Sequence, residues 1–179
     1  RMKMTIDTVC ALAKKAGFTH AAPMKLSTME LRQEVRDMCA ACSQYGKRWS
    51  CPPGCGDLET LRQRFQEYSS GVLIQTVGNL EDVFDAETMM DTEADHKKYL
   101  LRLQKELLQE KADVMILGAG CCTLCKECTY PDAPCRFPDK MLASMEACGL
   151  VVSDVCRAND VKYNYGPLTI AYTSCVLIK

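Results

Sequence analysis

Apolar positions recur along the chain with two periods, and these divide it into helices and strands. From Thr5 to Ala16 they fall at Ile6, Val9, Cys10 and Ala13, a helical stripe that Gly17 closes as a C-cap. Cys10 sits on that stripe and is expected as a core thiol. Phe18 to Leu26 reads as a short strand, kept at a sheet edge by Pro23. Ser27 and Glu30 form a candidate capping box for a helix reaching Met38. Asp57 can cap a helix whose Leu58, Leu61, Phe65 and Tyr68 share one face. The run GVLIQTV at 71–77 reads as a buried strand. Residues 79–92 are acidic and irregular, a loop leading into a long helix from about Glu93 to Lys111 with Leu100, Leu103 and Leu107 as its stripe. VMIL at 114–117 is a second buried strand, ended by GAG. Pro138 starts a helix with Leu142 and Met145 inward and Gly149 as its stop. The final segment, LTIAYTSCVLIK, is β-rich. Strands alternating with helices predict one α/β or α+β domain over residues 1–179, a small central sheet with flanking helices and two cysteine-rich metal-binding loops.

Composition narrows the function classes. The formal charge is −1 and there is no basic run, which argues against nucleic acid or anionic lipid as a partner. No apolar run reaches the roughly 18 residues of a membrane helix. The N-terminal RMKMTIDTVC does not read as a signal peptide, and Arg1 ahead of Met2 reads as an expression remnant. Thirteen of 179 residues are cysteine, an odd number in a chain large enough to fold without staples. A reducing, cytoplasmic setting with metal ligation is favoured over disulfides. His20 and His96 both lie away from the cysteine groups, so a metal site here is mainly thiolate, which suits zinc or iron–sulfur.

Two groups carry the chemistry. The first, CAACSQYGKRWSCPPGC, spaces Cys39, Cys42, Cys51 and Cys55 as C-x2-C-x8-C-x3-C. The second, in CCTLCKECTYPDAPC, spaces Cys122, Cys125, Cys128 and Cys135 as C-x2-C-x2-C-x6-C, with Cys121 as an extra thiol. Three cysteines at successive x2 intervals wrap a loop around something larger than one ion, as in ferredoxin loops that bind 4Fe–4S cubes. A lone zinc site usually separates its two C-x2-C knuckles by a dozen or more residues. Cys135 is the candidate fourth ligand, in a loop shaped by Pro131 and Pro134. The first group suits either zinc or a cluster. Tyr45 and Trp49 could shield a cofactor, and Lys47 and Arg48 could stabilise a reduced cluster. Equally, these residues could be ordinary packing and a solvated turn. Cys148, Cys156 and Cys175 read as packed thiols.

At these motifs the sequence resembles a family of predicted metal-binding proteins of anaerobic bacteria and archaea, a domain of unknown function. The matching stretches are CAACSQYGKRWSCPP, GAGCCTLCKECTYPDAPCRFP and SMEACGL, so the resemblance spans roughly residues 35–150. It implies metal and, from the cysteine pattern, iron–sulfur. Cys55 and Cys121 look like additions to the family pattern, which would leave Cys39, Cys42 and Cys51 as common ligands and one iron open. GAG lacks the G-x-G-x-x-G form, so nucleotide or flavin chemistry is not expected. Three functions stay open. One is a redox protein with one or two 4Fe–4S clusters serving a redox partner protein. Another is an enzyme using an open iron as Lewis acid or sulfur acceptor, with Tyr45, Lys47 and Arg48 as candidate substrate contacts. The third is a zinc-stabilised interaction module. A homo-oligomer is compatible with each.

Overall fold

The structure, a computed structural model, describes residues 3–179; Arg1 and Met2, including the expected expression remnant, lie outside the described residues. Its elements are helices α1 (Ile6–Ala16), α2 (Gln33–Cys39), α3 (Leu58–Phe65), α4 (Ala86–Gln109) and α5 (Val152–Ala158), and strands β1 (His20–Met24), β2 (Ser70–Asn79), β3 (Val114–Leu117) and β4 (Thr169–Ile178). The strands form one antiparallel sheet in the order β1-β2-β4-β3. The fold is therefore α+β. Apolar runs at 71–77 and 114–117 signal burial on both faces, which a parallel and a doubly covered antiparallel strand share.

Strand alternation sorts the core into two halves. Leu73, Cys175, Leu177 and Leu117 face a core built with α3, α5 and the segment around Met145–Leu150. Val72, Ile74, Val176, Ile178 and Ile116 face a second core built with α1 and α4. Cys148, Cys156 and Cys175 are packed thiols, as the sequence predicts. Cys10 is only half-buried at the margin of the second core.

Several boundaries follow their chemical signals. The Thr5 and Asp57 side chains accept from Thr8 N and Thr60 N at the starts of α1 and α3. Gly17 closes α1, and Pro23 sits in the edge strand β1. Three expectations are corrected. The Ser27–Glu30 capping box does not form: residues 26–28 make a 3-10 turn and α2 starts only after Arg32, which offers no side-chain cap. Arg32 N instead donates to Gly149 O. The helix expected from Glu93 begins at Ala86, because Asp85 caps Thr88 N and the acidic stretch after it contains good helix formers. No helix starts at Pro138: Gly118 N donates to Ala143 O and Met145 N to Gly118 O, so residues 143–145 extend the sheet margin. Tertiary backbone pairing there overrides the helical spacing of Leu142 and Met145. The helix forms later, as α5.

One mismatch in strand length positions the cysteine loops. β3 pairs with β4 only from Cys175 to Ile178. The N-terminal half of β4 continues past it, and its free edge at Ala171–Thr173 lines a cavity with Ala119–Cys121. No described helix is long and apolar enough to cross a membrane.

Candidate metal centres

Both cysteine loops lie at that end of the sheet. α2 ends on Cys39, and a series of turns carries the chain through Cys42 to Cys51, with Gly46 N donating to Pro52 O. The second loop leaves β3 through Gly118-Ala119-Gly120. Gly120 has φ +73°, a left-handed conformation that glycine adopts without cost. The peptide bonds Pro52–Pro53 and Tyr130–Pro131 are cis. All thirteen cysteines are free thiols.

The thiols do not sort as the spacing suggests. Cys39, Cys42, Cys51 and Cys121 line one cavity of about 480 Å3, whose far walls include Tyr45, Glu146, Tyr163 and Tyr172. Cys55 lies near Cys39 and Cys51 but lines a different cavity, with Cys148. Its sulfur accepts from Arg36 Nη2 at 3.3 Å and faces Ala147 O at 3.7 Å. Arg36 also donates to Ala147 O and Gly56 O, which ties α2 to the Met145–Leu150 segment.

Cys122, Cys125, Cys128 and Cys135 come together in a second, tight cleft with about 20 Å3 of room, roofed by Trp49, Leu124, Phe137 and Met141. Backbone N–H groups lie close to these sulfurs. Phe137 N donates to Cys135 Sγ at 3.4 Å, and the N–H groups of Leu124, and of Tyr130 and Trp49, lie near enough to favour the charged forms of Cys122 and Cys128. The x8 segment of the first group thus serves the second. Trp49 Nε1 donates to Thr129 Oγ1 and Ala133 O, and its ring meets Tyr130 edge-on at 4.8 Å. Arg48 donates to Cys122 O at 3.0 Å and Ser50 Oγ accepts from Cys122 N at 3.1 Å.

Burial sets the thiol protonation. It pushes Cys39, Cys51, Cys55 and Cys122 above their ordinary value, and neighbouring thiolates add to the effect. Cys128 falls below its ordinary value: burial works upward but is outweighed by N–H bonds from Tyr130 and Trp49 and by the charge of Arg48. Glu146 has accessible surface because it faces the cavity, yet protein surrounds its carboxyl, and that desolvation pushes its pKa up.

The donor sets fit a thiolate-bound cofactor, since each offers four cysteines. Among the described residues no three His, Cys, Asp or Glu side chains group closely enough to hold one ion. The thiols of the first centre instead stand around a wide cavity, and those of the second line a narrow cleft.

The sequence-predicted residues divide accordingly. Tyr45 lines the first cavity, Trp49 lines the second, and Lys47 is exposed and lines neither. Arg48 is bonded into the second loop and is not part of a solvated turn. Sequence reasoning missed Arg36, Tyr163 and Tyr172, which stand outside the quoted motifs, and Glu146, which lies within SMEACGL but was given no role. It also left Cys121 without a place, although its position next to Cys122 was a signal.

No curated protein and no solved structure matches the chain. One family profile, described as predicted metal-binding protein (DUF2284), matches residues 22–178. That span holds both thiol groups and all four strands but for the first two residues of β1, and the chain belongs to this family of predicted metal-binding proteins.

Proposed function

We propose that the chain is an iron–sulfur protein that holds 4Fe–4S clusters on its two thiol groups and serves a redox partner protein. The observation that carries this reading is the second centre. Four thiols there line one cleft under a largely apolar roof, with a backbone N–H donating to Cys135 Sγ and others near enough to favour charge on Cys122 and Cys128. N–H···S bonds and exclusion of water are the levers by which a protein sets a cluster's potential. A bound cluster would supply one-electron redox chemistry. The chain's own residues hold the sulfurs, cover them in part with Trp49, Leu124 and Met141, and place the Arg48 cation beside them. The x2-x2 spacing of Cys122, Cys125 and Cys128 supports a cube over a single ion.

The size of the first cavity favours a second reading. It has room well beyond its four thiols, and Tyr163 and Glu146 stand among its lining residues, while Tyr172 lines it with its hydroxyl bonded to Met89 O. Such a space suits a small ligand beside the first centre, and hence an enzyme.

Anaerobic purification tests the main reading. The expected protein is brown, with a broad absorption shoulder near about 400 nm that dithionite bleaches, and with matching iron and acid-labile sulfide. A colourless protein carrying zinc refutes it.

A further inference from the structure

Cys121 and Cys122 are adjacent in sequence, yet they serve different cavities. Cys121 lines the larger one with Cys39, Cys42 and Cys51, and Cys122 lines the tight one with Cys125, Cys128 and Cys135. The dipeptide is held from three sides. Lys97 Nζ donates to Cys121 O at 3.2 Å, Ser50 Oγ accepts from Cys122 N, and Arg48 Nη1 donates to Cys122 O. These partners come from α4 and from the first cysteine loop, so the backbone from which the two side chains spring is fixed relative to both.

Cys55 competes for the place of fourth thiol in the first group, but its surroundings tell against it. Its sulfur is held between Arg36 Nη2 and Ala147 O, and it lines the cavity that contains Cys148. Cys55 stands near Cys39 and Cys51, but its partner Arg36 is itself anchored on Ala147 O and Gly56 O, which keeps the sulfur on the wall it shares with Cys148.

We infer that Cys121, not Cys55, supplies the fourth thiolate of the first centre, so that the single dipeptide Cys121–Cys122 joins the two centres covalently. The cofactor's identity in this inference rests on the iron–sulfur reading, whereas the choice of thiol does not. The two ligand side chains spring from Cα atoms about 3.8 Å apart across one trans peptide. Arg36 then acts as a positioning residue that holds Cys55 out of the set. The arrangement gives the chain two centres on one through-bond path and explains why the extra thiol sits next to Cys122.

The test uses the full chain purified anaerobically, with iron, acid-labile sulfide and zinc measured per chain and EPR recorded after dithionite reduction. Two cubes give about eight irons. Cys121→Ala is expected to keep about half of the iron and sulfide, Cys122→Ala to lose about half, and Cys55→Ala to keep all of it. Fully reduced wild type should show signals broadened by spin–spin interaction, and each single-centre variant a simple unsplit signal. Far-UV circular dichroism matching wild type verifies that Cys121→Ala folds. Loss of half the iron in Cys55→Ala with full iron in Cys121→Ala overturns the inference. So does a wild-type spectrum that is the plain sum of two isolated centres. If wild type carries zinc and no iron, the iron–sulfur reading fails while the choice of thiol is still decided. Loss of about one zinc from Cys121→Ala and none from Cys55→Ala supports it, and the reverse overturns it. Wild type without bound metal overturns both.

Discussion

His96 is the histidine buried in the fold, at 1% exposure, and both of its ring nitrogens are committed. Nδ1 pairs with Thr76 Oγ1 and Nε2 with Ser174 Oγ, each at 2.7 Å, while Phe18 meets the ring edge-on. α4 thus places an imidazole between two hydroxyls of neighbouring strands. Burial alone lowers its pKa from 6.5 to about 4. In the unfolded chain the ring takes up a proton near pH 6.5; in the folded chain it resists until about pH 4. Stability from this group is therefore level above about pH 7, falls as pH drops through that window, and levels off below it. At about 1.4 kcal/mol per pH unit, the total loss is about 3 kcal/mol. The perturbation is His96→Gln, which cannot titrate. It should cost about 1–3 kcal/mol at pH 7.5 through weakened buried hydrogen bonds. Urea unfolding of wild type and variant, at pH values from 7.5 to 4.5, gives the stability difference between them. Loss of metal in acid and titration of carboxylates are common to both proteins and cancel. The wild-type advantage should shrink steadily below pH 6.5 and reverse near the acid end. A difference that stays constant across this range would mean that His96 titrates alike in both states, and the reasoning from burial would be wrong.

Other consequences follow from the centres and the core. Burial raises Cys39, Cys51 and Cys122 above the ordinary thiol value, so metal must displace protons to bind them. Zinc affinity of the metal-free protein, measured by chelator competition, should rise by up to about tenfold per released proton for each pH unit; equal affinity at pH 6.5 and 8 would count against this. A Cβ on Gly54 would come within 2.8 Å of Arg48 O and 2.9 Å of the Tyr130 ring. Gly54→Ala should therefore push the two cysteine loops apart, at a cost of about 1–3 kcal/mol. Trp49, the single tryptophan, reports this directly, and an unchanged fluorescence spectrum and Tm would refute it. Leu103 is fully buried beneath α4. Leu103→Ala should lose about 2–5 kcal/mol in urea unfolding, while wild-type metal content persists at low denaturant.

Much of the local structure was legible in the chain. Caps and backbone restrictions act over a few residues, so the side-chain caps Thr5 and Asp57, the backbone freedom of Gly17 and the missing N–H of Pro23 marked their elements correctly. The apolar runs of β2 and β3 marked buried strands, because burial on both faces removes polar alternation. What failed was set by distant partners. Ser27 and Glu30 have the right spacing for a cap, but Arg32 N pairs with Gly149 O, across the fold. Leu142 and Met145 have helical spacing, but Gly118 draws residues 143–145 into backbone pairing. The acidic stretch before Glu93 lacked an apolar stripe, and the cap at Asp85 decides its helix.

The cysteine loops divide in the same way. Sequence by itself determined that the chain carries two groups of closely spaced cysteines, since residue type and short spacing need no tertiary information. It also determined the looping of Cys122, Cys125 and Cys128, which lie close along the chain whatever surrounds them. Only the tertiary structure decided which thiols share a space. The guanidinium of Arg36, on a helix nineteen residues before Cys55, holds that sulfur aside. The free edge of β4 opens a cavity toward Cys121, and Trp49 of the first loop covers the second. Spacing limits only how far apart two sulfurs can lie. The direction each one points depends on backbone paths and hydrogen-bond partners contributed by other parts of the chain.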